Sequence, residues 1–312
     1  METTLSTIAA IQATPCFMDL KASVQKACDL IADAARKNAK LVLFPEAFLP
    51  GYPDWVWVVP AGKGAMMKEL HREMLEQSIT IGDEHTQKLK KAAKQAKCTV
   101  AIGINERNGA ANGGSLFNTL LYISHEGEIL GKHRKLVPTA GERLIWASGD
   151  GSTLEAFDTP IGRIGGLICW ENYMPLARYA MYAAGVEIYL APTWDYGDPW
   201  TATMQHIARE GRVYVIGCAT VQKVSDIPDR YEFKSLYPPT KDWVNPGMSV
   251  VVGPNGKNIT GPVEKQEDIL FASFDRGLLN ASKWDLDVCG HYARPDIFDL
   301  RIDRAERPIT RS

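Results

Sequence analysis

Gly162-Arg163-Ile164-Gly165-Gly166-Leu167-Ile168-Cys169-Trp170-Glu171-Asn172-Tyr173-Met174-Pro175 contains an apolar strand, a cysteine at its end and the start of a helix. Gly162–Ile168 is too short for a helix and reads as a strand. Pro175 suits a first helical turn, and Gly185 suits a helix C-terminus, so Pro175–Ala184 reads as a helix. The apolar run Val186–Leu190 follows as another strand. Strand, helix and strand in this order form the unit of a sheet covered by helices.

The same alternation extends outward in both directions. Ser6–Ala13 reads as a strand, and Leu20, Val24, Cys28, Ile31 and Ala35 then recur at helical spacing. Leu41-Val42-Leu43-Phe44 is a continuous apolar run, which suits a strand buried on both faces, and it ends in Pro45-Glu46. Phe48–Gly64, rich in Pro, Gly and Trp, reads as a structured loop. Helices over 65–77 and 83–97 precede a strand Thr99–Asn105, and Leu116–Ile123 with Ile129–Lys132 reads as a hairpin. Downstream, a helix over 198–211 leads to a strand Val213–Cys218. Gln222–Gly247 reads as a long polar and aromatic connection, before short strands at Met248–Val252, Asn258–Thr260 and Ile269–Phe274. No linker interrupts the middle, so residues 1–300 are expected to form a single α/β domain, with 301–312 as a short charged tail.

The chain has 312 residues, with 35 Lys and Arg against 37 Asp and Glu, a net charge of −2. That balance lacks the clustered basic excess of a nucleic-acid binder, so no nucleic-acid partner is expected. No apolar run approaches the ~18 residues of a membrane span, and no membrane association is expected. The start carries Glu2 and no basic, apolar leader. Together with six cysteines and no C-x-x-C pair, this points to reduced thiols and a cytoplasmic location. The six histidines are scattered without H-x-x-x-H or H-E-x-x-H, and neither a phosphate-binding glycine loop nor G-x-S-x-G is present. No cofactor and no metal are expected.

Cys169 stands apart from the other five cysteines, which read as ordinary thiols. A strand-to-helix turn presents a side chain at a sheet edge while nearby N–H groups remain free. A helix N-terminus there would lower a thiol pKa. A cysteine nucleophile also needs a base for its proton and a cation or N–H for the developing negative charge. Glu46, a carboxylate directly after an apolar strand, and Lys135, directly after the hairpin, are candidates for those two roles. Either residue alone would more commonly be a surface ion-pair member.

Three segments, Phe44-Pro45-Glu46-Ala47-Phe48, His133-Arg134-Lys135-Leu136-Val137-Pro138-Thr139 and Ile168-Cys169-Trp170-Glu171-Asn172, resemble in order and separation the signatures of the nitrilase superfamily. Pro50-Gly51-Tyr52-Pro53, Gly141-Glu142-Arg143, Ala191-Pro192-Thr193 and Gly290-His291-Tyr292-Ala293-Arg294-Pro295-Asp296 agree with it. The resemblance implies a four-layer αββα sandwich with Glu46, Lys135 and Cys169 as the catalytic set and Glu142 as a second glutamate beside the lysine. It implies an oxyanion site made by Lys135 and the Trp170 N–H, and it places Tyr52, Trp170, Thr193 and Trp194 nearest the substrate.

Cys169-Trp170-Glu171-Asn172 resembles the true nitrilase branch, which implies hydrolysis of a small-molecule nitrile by water to a carboxylic acid and ammonia. The intermediates would be a covalent thioimidate and then a thioester. An aliphatic amidase, a cyanide hydratase or dihydratase, and a non-catalytic interaction protein are the alternatives. The resemblance also implies a homodimer, with extension into a spiral oligomer left open.

Overall fold

The structure, a computed structural model, describes residues 5–109 and 112–307. Residues 1–4, 110–111 and 308–312 lie outside the described residues, and with them the end of the expected tail. The first half runs β1 (Ser6–Gln12), α1 (Leu20–Arg36), β2 (Ala39–Leu43), α2 (Gly64–Glu76), α3 (Glu84–Ala96), β3 (Thr99–Arg107), β4 (Leu116–Ile123) and β5 (Ile129–Arg134). The second runs β6 (Phe157–Thr159), β7 (Gly162–Gly166), α4 (Pro175–Ala183), β8 (Ile188–Thr193), α5 (Asp198–Gly211) and β9 (Tyr214–Ala219). It continues through β10 (Val221–Lys223), β11 (Trp243–Val252), β12 (Asn258–Glu264), β13 (Asp268–Phe274) and α6 (Arg276–Ser282).

Side-chain alternation sorts these strands into two sheets with two faces each. In β1, Ile8 and Ala10 face the second sheet while Ala9 and Ile11 face helices. Leu41 and Leu43 of β2 alternate in the same way with Val42, and Ile188 and Leu190 of β8 with Tyr189 and Ala191. One sheet has the order β13-β1-β2-β3-β4-β5. The other has β10-β11-β9-β8-β7-β6, with β12 paired to β11. Leu20, Val24, Ala27 and Ile31 of α1, with Leu89 and Ala93 of α3, cover the first sheet. Ala180 and Met181 of α4, with Trp200, Met204 and Ile207 of α5, cover the second. The layers are therefore helix, sheet, sheet and helix.

Local chemistry sets the boundaries. Asp19 accepts from the Ala22 N–H and Asp83 from the Thr86 N–H, so each carboxylate satisfies an orphan donor at a helix start. β1 and β2, β2 and β3, β7 and β8, and β8 and β9 are parallel, so the helices between them are crossovers. The β4–β5 hairpin forms as the sequence indicates.

Three features depart from the sequence expectation. β6 and α6 were not expected; β6 has only three residues and α6 seven, too few to show a period. The Gln222–Gly247 connection contains most of β10 and the start of β11, whose Asn245-Pro246-Gly247 interrupts any apolar pattern. Among the described residues, no helix is long and apolar enough to cross a membrane.

Candidate active site

Cys169 sits where β7 gives way to a five-residue 3₁₀ turn, Cys169–Tyr173. Its φ of +54° is left-handed, a conformation that costs a β-carbon-bearing residue about 1–3 kcal/mol unless its surroundings enforce it. Asn172 enforces it, donating from Nδ2 to the carbonyls of Leu167 (3.0 Å) and Cys169 (2.8 Å). The Asn172 amide is itself held by the Tyr189 hydroxyl, which donates to its Oδ1 at 2.9 Å. Ala47, directly after Glu46, and Ala140, which lines the same cavity as Cys169, also have positive φ. Conformational strain thus gathers around Cys169.

Glu46 reaches the site because the chain after β2 crosses directly over β3. A β-carbon on Gly103 would lie 2.1 Å from the Pro45 carbonyl oxygen and 2.5 Å from the Ala47 nitrogen. Only glycine permits that crossing. Replacing Gly103 with alanine is therefore expected to push Pro45–Ala47 off β3. We expect a loss of about 1–3 kcal/mol of stability, as for overpacking, with a fall in turnover larger than that loss would cause. Chemical denaturation and steady-state rates on the same preparation check both parts.

The carboxylate of Glu46 is buried, and each oxygen is used. Oε1 accepts from Lys135 Nζ at 2.8 Å and from Asn118 Nδ2 at 2.7 Å, while Oε2 accepts from the Trp194 N–H at 2.7 Å. Lys135, directly after β5 and also buried, donates to Glu142 Oε2 at 2.7 Å as well. Glu142 accepts in addition from the Tyr52 hydroxyl (2.7 Å) and the Thr139 N–H (2.6 Å). One ammonium thus lies between two buried carboxylates beside the cysteine.

Burial is the first influence on Glu46, Lys135 and Cys169. It raises the Glu46 carboxyl; Lys135 opposes the shift, Glu142 reinforces it, and the net direction is upward. For Lys135, burial disfavours the charge, but Glu46, Cys169 and Glu142 outweigh it and hold the ammonium protonated. The Cys169 thiol is pushed well up by burial and then by Glu46, more than Lys135 lowers it. That corrects the expectation of a thiol acidified by a helix start: the turn is a short 3₁₀ segment, and desolvation with a neighbouring carboxylate prevails. The resting cysteine is a neutral thiol, and its proton must leave as it attacks.

A cavity of about 460 Å³ opens onto Cys169. Tyr52, Trp170 and Trp194 line it, with Tyr52 and Trp194 stacked at 4.3 Å between centroids and 7° between planes. Thr193 does not reach the wall. It is fully buried behind it, where its hydroxyl hydrogen-bonds the Cys169 sulfur and accepts from the Asp195 N–H at 2.8 Å. Glu142, Thr139, Ala140, Trp57 and Lys241 complete much of the remaining wall.

Several residues around the site were given no role from the sequence. Asn118 was detectable, because it occupies an inward position of β4 where its neighbours are Leu116 and Leu120, and a buried amide there needs a partner. Asp54 accepts from Trp194 Nε1 at 3.2 Å and from the Tyr237 hydroxyl. Asp195 accepts from Trp170 Nε1 at 3.0 Å. Asp54 opens a four-residue 3₁₀ turn and Asp195 lies in a loop, and no periodicity distinguishes either.

Residues 7–283 match the carbon-nitrogen hydrolase family, and the chain belongs to that family. It is 41% identical over 306 residues to a bifunctional nitrilase/nitrile hydratase of Nicotiana tabacum, covering 96% of this chain and 87% of the relative. An aliphatic nitrilase of Sinorhizobium fredii is 41% identical over 298 residues, covering 95% and 94%. Among solved structures, Saccharomyces cerevisiae Nit3 aligns with a TM-score of 0.71 at 20% identity, over 92% of this chain and 96% of that one. An amidase from Nesterenkonia sp. aligns with a TM-score of 0.67 at 20% identity, over 92% and 96%. These two support the αββα fold.

Proposed function

We propose that the protein is a nitrilase that hydrolyses an organic nitrile to a carboxylic acid and ammonia, with Cys169 as nucleophile. The observation that carries this is Lys135 Nζ held between Glu46 and Glu142 beside a buried thiol that opens on an apolar-walled cavity. The nitrilase relatives support the choice of substrate class.

Glu46 takes the thiol proton as sulfur attacks the nitrile carbon, and the nitrogen gains that proton to give a thioimidate. Its raised pKa brings the base closer to working pH, where proton transfer is more effective. Water adds with Glu46 as base, giving a tetrahedral species stabilised by the Lys135 ammonium and the Trp170 N–H. Expulsion of ammonia leaves a thioester, which a second water hydrolyses to the acid and the free thiol. Glu142 fixes Lys135, and Tyr52, Trp170 and Trp194 contact the substrate's organic group while Thr193 supports the sulfur.

If the tetrahedral species expels the thiolate instead, the product is an amide. The nitrile hydratase half of the Nicotiana relative's name supports that branch as a second product here. Purified enzyme offered aliphatic, arylaliphatic and aromatic nitriles, with acid, amide and ammonia each quantified, tests the proposal. We expect acid and ammonia in equal amounts with at least one class. Release of neither acid nor amide from any nitrile, with hydrolysis of simple amides intact, would replace the reading with an amidase.

We take residues 1–300 as one functional domain and 301–312 as a charged tail. The six free thiols support a reducing, cytoplasmic setting. An apolar groove beside α4, with Leu176, Tyr292 and Phe298 exposed, supports a homodimer that could extend into a spiral.

A further inference from the structure

We propose that His133 and Glu171 form a buried imidazolium–carboxylate clamp that positions Lys135 against Cys169. The proposal rests on the reading of Cys169 and Lys135 as reacting groups, and it concerns two residues that lie outside the cavity wall. His133, on β5, and Glu171, in the turn after Cys169, are each 1% exposed.

Glu171 ties two separate stretches of chain together. Its Oε2 accepts from the N–H of Ile168 at 2.8 Å, the residue before Cys169. Its Oε1 accepts from the N–H of Leu136 at 2.7 Å, the residue after Lys135. One carboxylate therefore fixes the backbone on which the nucleophile stands to the backbone that delivers the ammonium. Neither contact could be reproduced by glutamine at both oxygens, because an amide NH₂ would face one of the N–H donors.

The charge state follows from what faces the imidazole. Nε2 lies 3.0 Å from Glu171 Oε2, and Nδ1 lies 3.2 Å from the Thr153 carbonyl oxygen. A carbonyl oxygen can only accept, and a carboxylate can only accept. A neutral imidazole carries one N–H and would leave one of these contacts without a proton, whereas the imidazolium supplies both. The competing assignment, a neutral imidazole beside a protonated Glu171, would place a hydroxyl on a carboxyl whose two oxygens already hold backbone N–H groups. Burial opposes both charges. His133 and the two N–H groups nevertheless draw the Glu171 carboxyl below its usual range, and Glu171 raises the imidazole. The phenols of Tyr122 and Tyr189, which feel Glu171, and the Cys169 thiol in the same turn are kept neutral by burial.

Two measurements test the clamp. Nitrogen-15 NMR of histidine-labelled wild-type protein at neutral pH, with the ring assigned through its bonds to the backbone, is expected to show both His133 ring nitrogens protonated. One protonated nitrogen would overturn the proposal, and this readout needs no variant to fold and no substrate to turn over. In kinetics, Glu171→Gln and His133→Gln are each expected to lower kcat by about a hundredfold, the scale of a 1 Å misplacement. KM should stay nearly constant because the cavity wall is intact, and the double variant should lose little more than either single one. A kcat close to that of the wild type in a folded Glu171→Gln protein would refute the positioning role. A wild-type enzyme that hydrolyses no nitrile but shows the doubly protonated ring would instead refute the functional reading and leave the charge pair standing.

Discussion

Cys169→Ala is expected to lower nitrile hydrolysis by on the order of 10⁴-fold or more while the protein stays folded, as for removal of a nucleophile whose partners act as a unit. The substitution deletes only a sulfur atom from a buried position. Asn172 and its bonds to the Leu167 and Cys169 carbonyls hold the turn through the backbone, so the left-handed bend does not depend on the thiol. Glu46 also keeps its three donors, Lys135, Asn118 and the Trp194 N–H. The base and the cation therefore remain in place with nothing to activate. Intact-mass measurements during turnover should show the wild-type chain carrying an added substrate fragment and the variant carrying none. Nitrile hydrolysis at a substantial fraction of the wild-type rate in Cys169→Ala would remove the covalent mechanism. The neutral resting thiol adds a second expectation. Alkylation of Cys169 should be slower than that of an acidified cysteine at neutral pH, since the thiolate is the reactive form.

Much of this was legible in the sequence because the fold is written in short-range periods. The short strand Ser6–Ala13, the continuous apolar run Leu41–Phe44, helical spacing from Leu20, and Pro175 with Gly185 around α4 each follow from local geometry. What local geometry could not supply was pairing at long range. β13 lies beside β1 although more than 250 residues separate them, and nothing in Asp268–Phe274 specifies that neighbour. The site divides along the same line. Glu46, Lys135 and Cys169 each sit at the end of an element, where a charged or reactive side chain stands out against apolar neighbours. Asp54 acts from a short 3₁₀ turn and Asp195 from a loop, and Glu171 stands beside Cys169 without any local sign that it reaches across to Leu136. The thiol pKa departs from the sequence expectation for a related reason. A helix start can be read from sequence, but the carboxylate that opposes it arrives from residue 46, over a crossing that Gly103 permits.

Lys135→Met should cost more stability than Cys169→Ala or Gly103→Ala, and that loss should depend on pH. Methionine matches the length and apolar stem of lysine but removes the ammonium that lies 2.8 Å from Glu46 and 2.7 Å from Glu142. Two carboxyls would then be buried without a cation. Breaking a buried ion pair from one side costs about 3–5 kcal/mol, because the remaining charge is left uncompensated. In the wild type, Lys135 is the principal group holding the Glu46 carboxyl down against burial. Without it, the folded-state pKa of Glu46 rises further above the unfolded value of about 4.3. A group with a raised folded pKa contributes stability that is fully present below its unfolded pKa and lost as pH rises through the folded one. The variant should therefore come closest to the wild type in mild acid and fall furthest behind at neutral pH and above. Urea denaturation of both proteins at several pH values measures this directly. A stability difference that stays constant across that range would mean that the lysine acts through packing and not through its charge. Turnover should fall by at least about 10²–10³-fold, the loss expected when one donor to a developing negative charge is removed. Lys135→Arg should not restore it, since the larger guanidinium cannot enter a space in which Nζ is enclosed by two carboxylates and the Trp146 ring at 6.0 Å.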